Sequence, residues 1–254
     1  MYYFNSIFIA IILFVVIVIA NEIGMRLGEY KQGQSNSDIK SQTTAIQGGI
    51  LGLLALILGF TFNMSIQRFD NRAAAEVAEA NAIGTALLRT RLLPAPYNSD
   101  EEKLIRNYII VRLAENKIDL TQQDIRREYD KKVQYLQQQI WNTAIDAADQ
   151  APNPVKTGYF VQAVNDMIDA QGFRSDQLER HIPPAIFYLL FVIFIATGAL
   201  IGYATGLGKR TSRTPALVLS FLISLLVFII IDLDRPRRGI IQVKQDSMEN
   251  LMEE

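Results

Sequence analysis

Between Lys40 and Arg68 the chain carries no charged side chain, and from Ile46 the run IQGGILGLLALILGFTFNMSIQ is almost wholly apolar. A soluble domain rarely needs a helix that is greasy on every side, whereas a bilayer core is crossed by about 20 such residues. The stretch therefore reads as a transmembrane helix. It has an internal pattern as well: Gly48, Gly52, Ala55 and Gly59 fall on one narrow face of small residues. Such faces let membrane helices approach closely, where van der Waals contact replaces the hydrophobic drive that lipid removes. The plainer alternative is the general abundance of glycine in membrane helices.

Beyond this span the sequence SIQRFDNRAAAEVAEANAIGTALLRTRLL has neither proline nor turn signal and is rich in alanine, the best helix former. One continuous helix is predicted from about Gln47 to Leu92, roughly 65–70 Å long. It leaves the membrane and couples the membrane part mechanically to the soluble part.

Three further apolar blocks accompany it. Tyr2 to Ala20 lacks the positive n-region and small-residue cleavage site of a secretory signal, so it reads as a retained first span. Its dense isoleucine and valine suit a lipid-facing place better than a pore. Asn21 to Thr44 reads as a polar connection, with KQGQSNSD as its turn. The third span, Pro184 to Gly208, holds Gly198, Gly202 and Gly206, a double GxxxG that dimerisation or packing on the second span would satisfy equally. Lys209, Arg210 and Arg213 close a short turn, and Thr214-Pro215 opens a fourth span to about Ile231.

The segment between the second and third spans is too long for a loop. Pro94 and Pro96 end the long helix, because each removes a backbone donor. A helix is predicted from Glu101 to Asn116, with Leu104, Tyr108, Val111 and Ala114/Glu115 on one face. Another is predicted from Thr121, as its cap, to Ala148, with Ile125, Tyr129, Val133, Leu136, Ile140 and Ile145 as its stripe. APNPVKTG breaks it. Tyr159–Ala170 and a short Ser175–Arg180 helix come next, and no stretch alternates as a strand would. The tail IIQVKQDSMENLMEE suggests a short strand-like piece and then a frayed helix. The fold class is thus all-α: four transmembrane helices with a helical soluble domain inserted between the second and third. By residue, 1–64 holds the first two spans, 65–182 the soluble domain, 183–234 the last two spans and 235–254 a tail.

Chemistry is sparse. The absence of cysteine excludes disulfides, thiol catalysis and cysteine-ligated metals, and a single histidine, His181, leaves no histidine-rich centre. No Walker loop, G-x-S-x-G, H-E-x-x-H or dinucleotide fingerprint occurs, so the reading is not an enzyme and needs no cofactor. A formal net charge of −1 gives no footprint for nucleic acid. Asp232 and Asp234 with Glu249, Glu253 and Glu254 offer oxygens for a hard cation, but the spacing matches no standard loop and rim salt bridges are the default. Glu76 and Glu79, among alanines with Asn81 nearby, read first as a solvated face. The alternative is a vestibule lining, or pairing with Arg68, Arg72 or Arg89 of a neighbouring subunit. A pore needs geometry rather than reactive groups. Gly52, Leu56 and Phe60, four apart on the uncharged second span, would share an axis where an apolar constriction gates by dewetting, while Gly48, Ala55 and Gly59 pack on a neighbour.

The run LGFTFNMSIQRFDNRAAAEVAEANAIGTALLR, Leu58 to Arg89, with LDRPRRG, Leu233 to Gly239, resembles the bestrophin-like family of bacterial and plant membrane proteins. The likeness covers nearly the whole chain, and E-A-N-A-I-G-T is its most specific part. More distantly it is similar to the bestrophins, pentameric channels mostly for chloride and other anions. They have four membrane helices and a large cytoplasmic helical domain between the second and third. In them a glycine and a phenylalanine of the second span precede an arginine followed by aromatics; here Gly59-Phe60 precede Arg68-Phe69. Their narrow neck is lined by bulky apolar residues four apart, which carry over to Gly52, Leu56 and Phe60. Gly52 departs from that pattern by widening or moving the ring. Asp70 replaces the second aromatic, and the acid-rich calcium clasp of animal bestrophins has no clear counterpart. The resemblance implies a homopentameric ion channel of the bacterial inner membrane that passes inorganic ions and has its own copies and the bilayer as partners. A count of basic residues near the span ends favours, by a thin margin, both termini and the domain on the cytoplasmic side. The alternative is a non-conducting scaffold or sensor whose helical domain binds a protein partner.

Overall fold

The computed structural model describes residues 5–34, 37–208 and 212–253. The start of the first span at Tyr2, Ser35 and Asn36 of the polar turn, Lys209 and Arg210, and Glu254 lie outside them. Eight α-helices occur among the described residues: α1 Ser6–Lys31, α2 Ser37–Arg89, α3 Tyr97–Asn116, α4 Gln123–Gln150, α5 Thr157–Glu179, α6 Pro184–Gly206, α7 Thr214–Leu233 and α8 Asp246–Asn250. Four helical stretches are long and apolar enough to cross a membrane. The fold is all-α, with a helical domain inserted between the second and third of these. The chain divides into two compact units, Met1–Gln67 with Ile182–Arg235, and Arg68–His181 with Pro236–Glu254. The tail, from Pro236 on, belongs to the second unit rather than standing apart.

The first unit is built on glycine. α1 and α6 approach so closely that a methyl group at Gly202 would fall on the carbonyl oxygen of Asn21, and one at Gly206 on that of Met25. The approach is reciprocal: Gly24 lies against the carbonyl of Ala199 and Gly28 against that of Tyr203. Asn21 Nδ2 donates to the Gly198 carbonyl at 3.2 Å, and Gln32 Nε2 to that of Gly208 at 2.7 Å. The double GxxxG is therefore taken up by the first helix, within one chain, and not by the second. Asn21–Lys31, read from its polar residues as connection, is helical because α1 needs these turns to meet the whole glycine face of α6. Around this seam Leu13, Ile17, Leu54, Leu58, Phe187, Leu190, Phe194, Ile223 and Val227 form one apolar core.

The second unit packs α3, α4, α5, the distal part of α2 and the tail around Ile83, Ile105, Tyr108, Val133, Ile140, Phe160, Met167 and Met248. Four expectations fail here, each for a local reason. The separate Ser175–Arg180 helix is the end of a single α5, since Gly172 sits inside a helix whose buried positions run on from Met167 to Arg174 and Gln177. Thr121 does not cap α4; its hydroxyl bonds Asp119 Oδ1 at 3.0 Å, and α4 starts at Gln123. Ile125 and Ile145 stand exposed, while Ala144 and Ala147 complete the buried stripe. The tail forms no strand; residues 240–245 are irregular and lead into α8, whose Met248 is buried.

Candidate functional site

Only one side of α2 is used inside the first unit. Leu54, Leu58, Thr61 and Ser65, spaced four, three and four, are buried, and Ser65 Oγ donates to the Ile230 carbonyl at 3.2 Å. Leu51, Ile57 and Phe62 flank this stripe, half-buried against the same core, and the opposite side of the helix is uncovered. Gly52 is exposed, and Leu56 and Phe60 are 55% and 64% exposed. The second set of small residues, Gly48, Ala55 and Gly59, lies on this uncovered side, and a methyl group at Gly48, Gly52 or Gly59 would meet nothing within 4 Å. The glycines of α6 are thus consumed inside the chain, and those of α2 are not.

The polar residues singled out farther along α2 end up elsewhere than a solvated face. Glu79 is wholly buried and is the hub of an ionic cluster. It accepts from Arg112 Nε at 2.6 Å and Nη2 at 3.0 Å, a bidentate pair, and from Arg174 Nη1 at 2.7 Å. Arg112 also donates to Glu115, whose carboxylate lies 3.7 Å from Arg237. Gln245 Oε1 accepts from Arg174 and, at 2.7 Å, from Asn116 Nδ2. Burial alone would push the Glu79 carboxyl up. The charge and hydrogen bonds of Arg112, then Arg174, outweigh this and hold it below its ordinary range. Arg112, though desolvated, is held above its own range by Glu79 and Glu115. Glu79 and Arg112 thus stay ionised, and the cluster is internal.

Glu76 and Arg72 are likewise committed within the chain. Glu76 Oε1 accepts from the Met248 amide at 3.1 Å, serving an otherwise orphaned donor in the first turn of α8. Arg72 donates to the carbonyls of Gln177 at 3.2 Å and Arg180 at 2.7 Å. The solvated-face reading of Glu76 and Glu79 is therefore wrong, and so is pairing of Arg72, Glu76 and Glu79 across subunits. They are too deep for either. Asn81 is exposed, and Arg68 is half-buried with its Nε lacking a hydrogen-bond partner. The cation-site reading of the last acids also gives way. Asp232 accepts from Ser6 Oγ at 3.0 Å, and Asp234 from the Ile182 amide at 3.0 Å. Among the described residues no group of three or more His, Asp or Glu side chains is placed to hold a metal ion.

Sequence reading missed Arg112, Glu115, Arg174, Arg237 and Gln245. A signal was present in α3: Glu101, Ile105, Tyr108, Arg112 and Glu115 recur at core spacing, so charged residues occupy buried positions. No comparable pattern announces Arg237, which stands in the irregular tail at φ 65°.

The fold and these elements define a multi-pass α-helical membrane protein whose second span is continuous with the helix that anchors a buried ionic cluster. Its layout matches solved structures of a bacterial bestrophin homologue from Klebsiella pneumoniae, each carrying one substitution. One form superposes at a TM-score of 0.71 over 99% of this chain and 100% of that one, with 15% identity. A second gives 0.69 over 96% of each chain with 16% identity, and a third 0.67 over 96% and 99% with 15% identity. Residues 6–248 match the bestrophin-like domain, and the chain belongs to the bestrophin-like family. No curated protein is similar to it in sequence.

Proposed function

We propose that the chain is a homopentameric ion channel passing anions through an apolar neck formed by Gly52, Leu56 and Phe60 of α2. One observation carries this reading: the face of α2 that bears these residues is left uncovered by the chain's own helices, although α2 has a buried side directly opposite. A scaffold with no pore would be expected to bury that face against α1, α6 or α7. Lipid exposure accounts for Leu56 and Phe60, but less well for glycines, whose bare backbone gives lipid little to pack on. The number five and the preference for anions come from the resemblance to bestrophins. In this reading conduction is passive, with partial dehydration in the neck setting the barrier. The termini and the helical domain face the cytoplasm, and the membrane is the bacterial inner membrane.

The test is ion flux into proteoliposomes, with chloride and potassium measured separately. Wild type is expected to pass chloride in preference, and Leu56→Ala and Phe60→Ala to raise the flux severalfold by widening a dewetted ring. Absence of flux from folded oligomer, in either ion and in both variants, would sink the channel reading and turn attention to partners of the helical domain.

A further inference from the structure

The second unit holds a cleft of about 430 Å³ between α3, α5 and the tail, with Arg72 of α2 at its back. Its volume is that of a small-molecule site. Five of its lining side chains are cationic, Arg72, Lys117, Arg174, Arg237 and Lys244, against two acids, Asp246 and Glu249. The cations divide by depth. Arg72 and Arg174 are 3% exposed and the Arg237 side chain 9%, whereas Lys117 and Lys244 stand at the rim. Asp246 is largely solvated and lies 4.0 Å from Lys244.

Within the ionic cluster the charges do not balance. Arg112, Arg174 and Arg237 share two carboxylates, Glu79 and Glu115, and both carboxylates give their shortest contacts to Arg112, which is sealed away from the cleft. Arg237 is left with the Glu115 carbonyl at 3.2 Å, Asn116 Oδ1 at 2.7 Å and a long approach to the Glu115 carboxylate. A buried guanidinium is costly unless an anion completes its neighbourhood. Asp130 lines a second, smaller hollow together with Glu115, Arg126 and Arg237. Arg126 is itself paired with Glu179 at 3.4 Å.

We propose that this cleft binds a small soluble oxyanion, a carboxylate- or phosphate-bearing solute, with Arg237 and Arg174 as its floor and Lys117 and Lys244 as its rim. A guanidinium fork matches two oxygens of such a group and has no comparable match to a spherical halide. Leu113, Leu178 and Val243 line the remainder and give room for a short apolar body. The site is separate from the neck and does not depend on whether the chain conducts.

Isothermal titration of the detergent-solubilised full chain with inorganic phosphate, at constant ionic strength, tests it. Saturable binding is expected, weakened about tenfold by Arg237→Gln. The double variant Lys117→Gln/Lys244→Gln, at exposed positions where folding is not at stake, is expected to weaken it severalfold. Chloride titrated in place of phosphate should give no comparable heat. Absence of saturable phosphate binding, equal binding in all variants, or chloride binding as tightly as phosphate would each overturn the proposal. Binding of phosphate only when anionic lipid vesicles present it would overturn the soluble-ligand assignment.

Discussion

Glu79 and Glu101 are both wholly buried carboxyls of the same unit, and their surroundings send them in opposite directions. Glu79 has two guanidinium partners and stays charged. Neither oxygen of Glu101 has a hydrogen-bond partner, and burial, then the charge of Asp100, pushes its pKa up to about 8. Between the ordinary carboxyl range and about 8 the folded chain keeps a proton that the unfolded chain has released, so stability falls as pH rises through that window. The loss levels off above it, at roughly 4–5 kcal/mol. Glu101→Gln, a neutral isostere, is expected to flatten the dependence and to gain on wild type as pH rises. Denaturant midpoints of the two proteins from about pH 5 to 9 check this; a separation that stays constant over the range would refute it.

At the scale of the element, two helices carry the same small-residue pattern with different consequences. On α6 it is filled by α1, so Gly202→Ala is expected to force the two helices apart, costing about 1–3 kcal/mol or more. On α2 the space is open, so Gly48→Ala is expected to leave the thermal stability of the subunit fold unchanged. Circular dichroism melts of both variants separate these outcomes, and equal melts would contradict the asymmetry. The pattern of apolar blocks made the membrane helices and the inserted helical domain legible in sequence, because length and uniform hydropathy are local properties. Which glycine face meets which helix was not legible. Small residues specify closeness of approach and carry no address, so pairing waits on the tertiary arrangement. The ionic cluster was hidden for a related reason: Glu79 reads as a surface acid until Arg112 and Arg174, 33 and 95 residues away, are brought to it. That Gly52, Leu56 and Phe60 share one face could be read, because one helix period places them together; that the chain leaves this face uncovered could not, since Leu54 and Leu58 on the buried side are just as apolar.

For the whole molecule, the uncovered face of α2 is a statement about assembly. Lipid gives helices no hydrophobic reason to associate, so a stripe of exposed glycine backbone gains its stabilisation from close packing on another helix. Among the described residues no helix of the chain covers this stripe; in the channel reading proposed above, a second copy would supply one. A heterologous contact of this kind, repeated around an axis, closes into a ring when the rotation per subunit allows it. Packing and lining are then separable by substitution. Gly59→Leu fills the space a neighbour would occupy and is expected to shift the detergent-corrected mass from about five subunits toward one, with helix content intact. Phe60→Ala removes bulk without blocking approach and is expected to leave the assembly whole while changing flux. Light scattering on the solubilised proteins decides between them. A wild-type monomer would remove the basis for any ring, and an undisturbed Gly59→Leu oligomer would show that the copies meet through some other face.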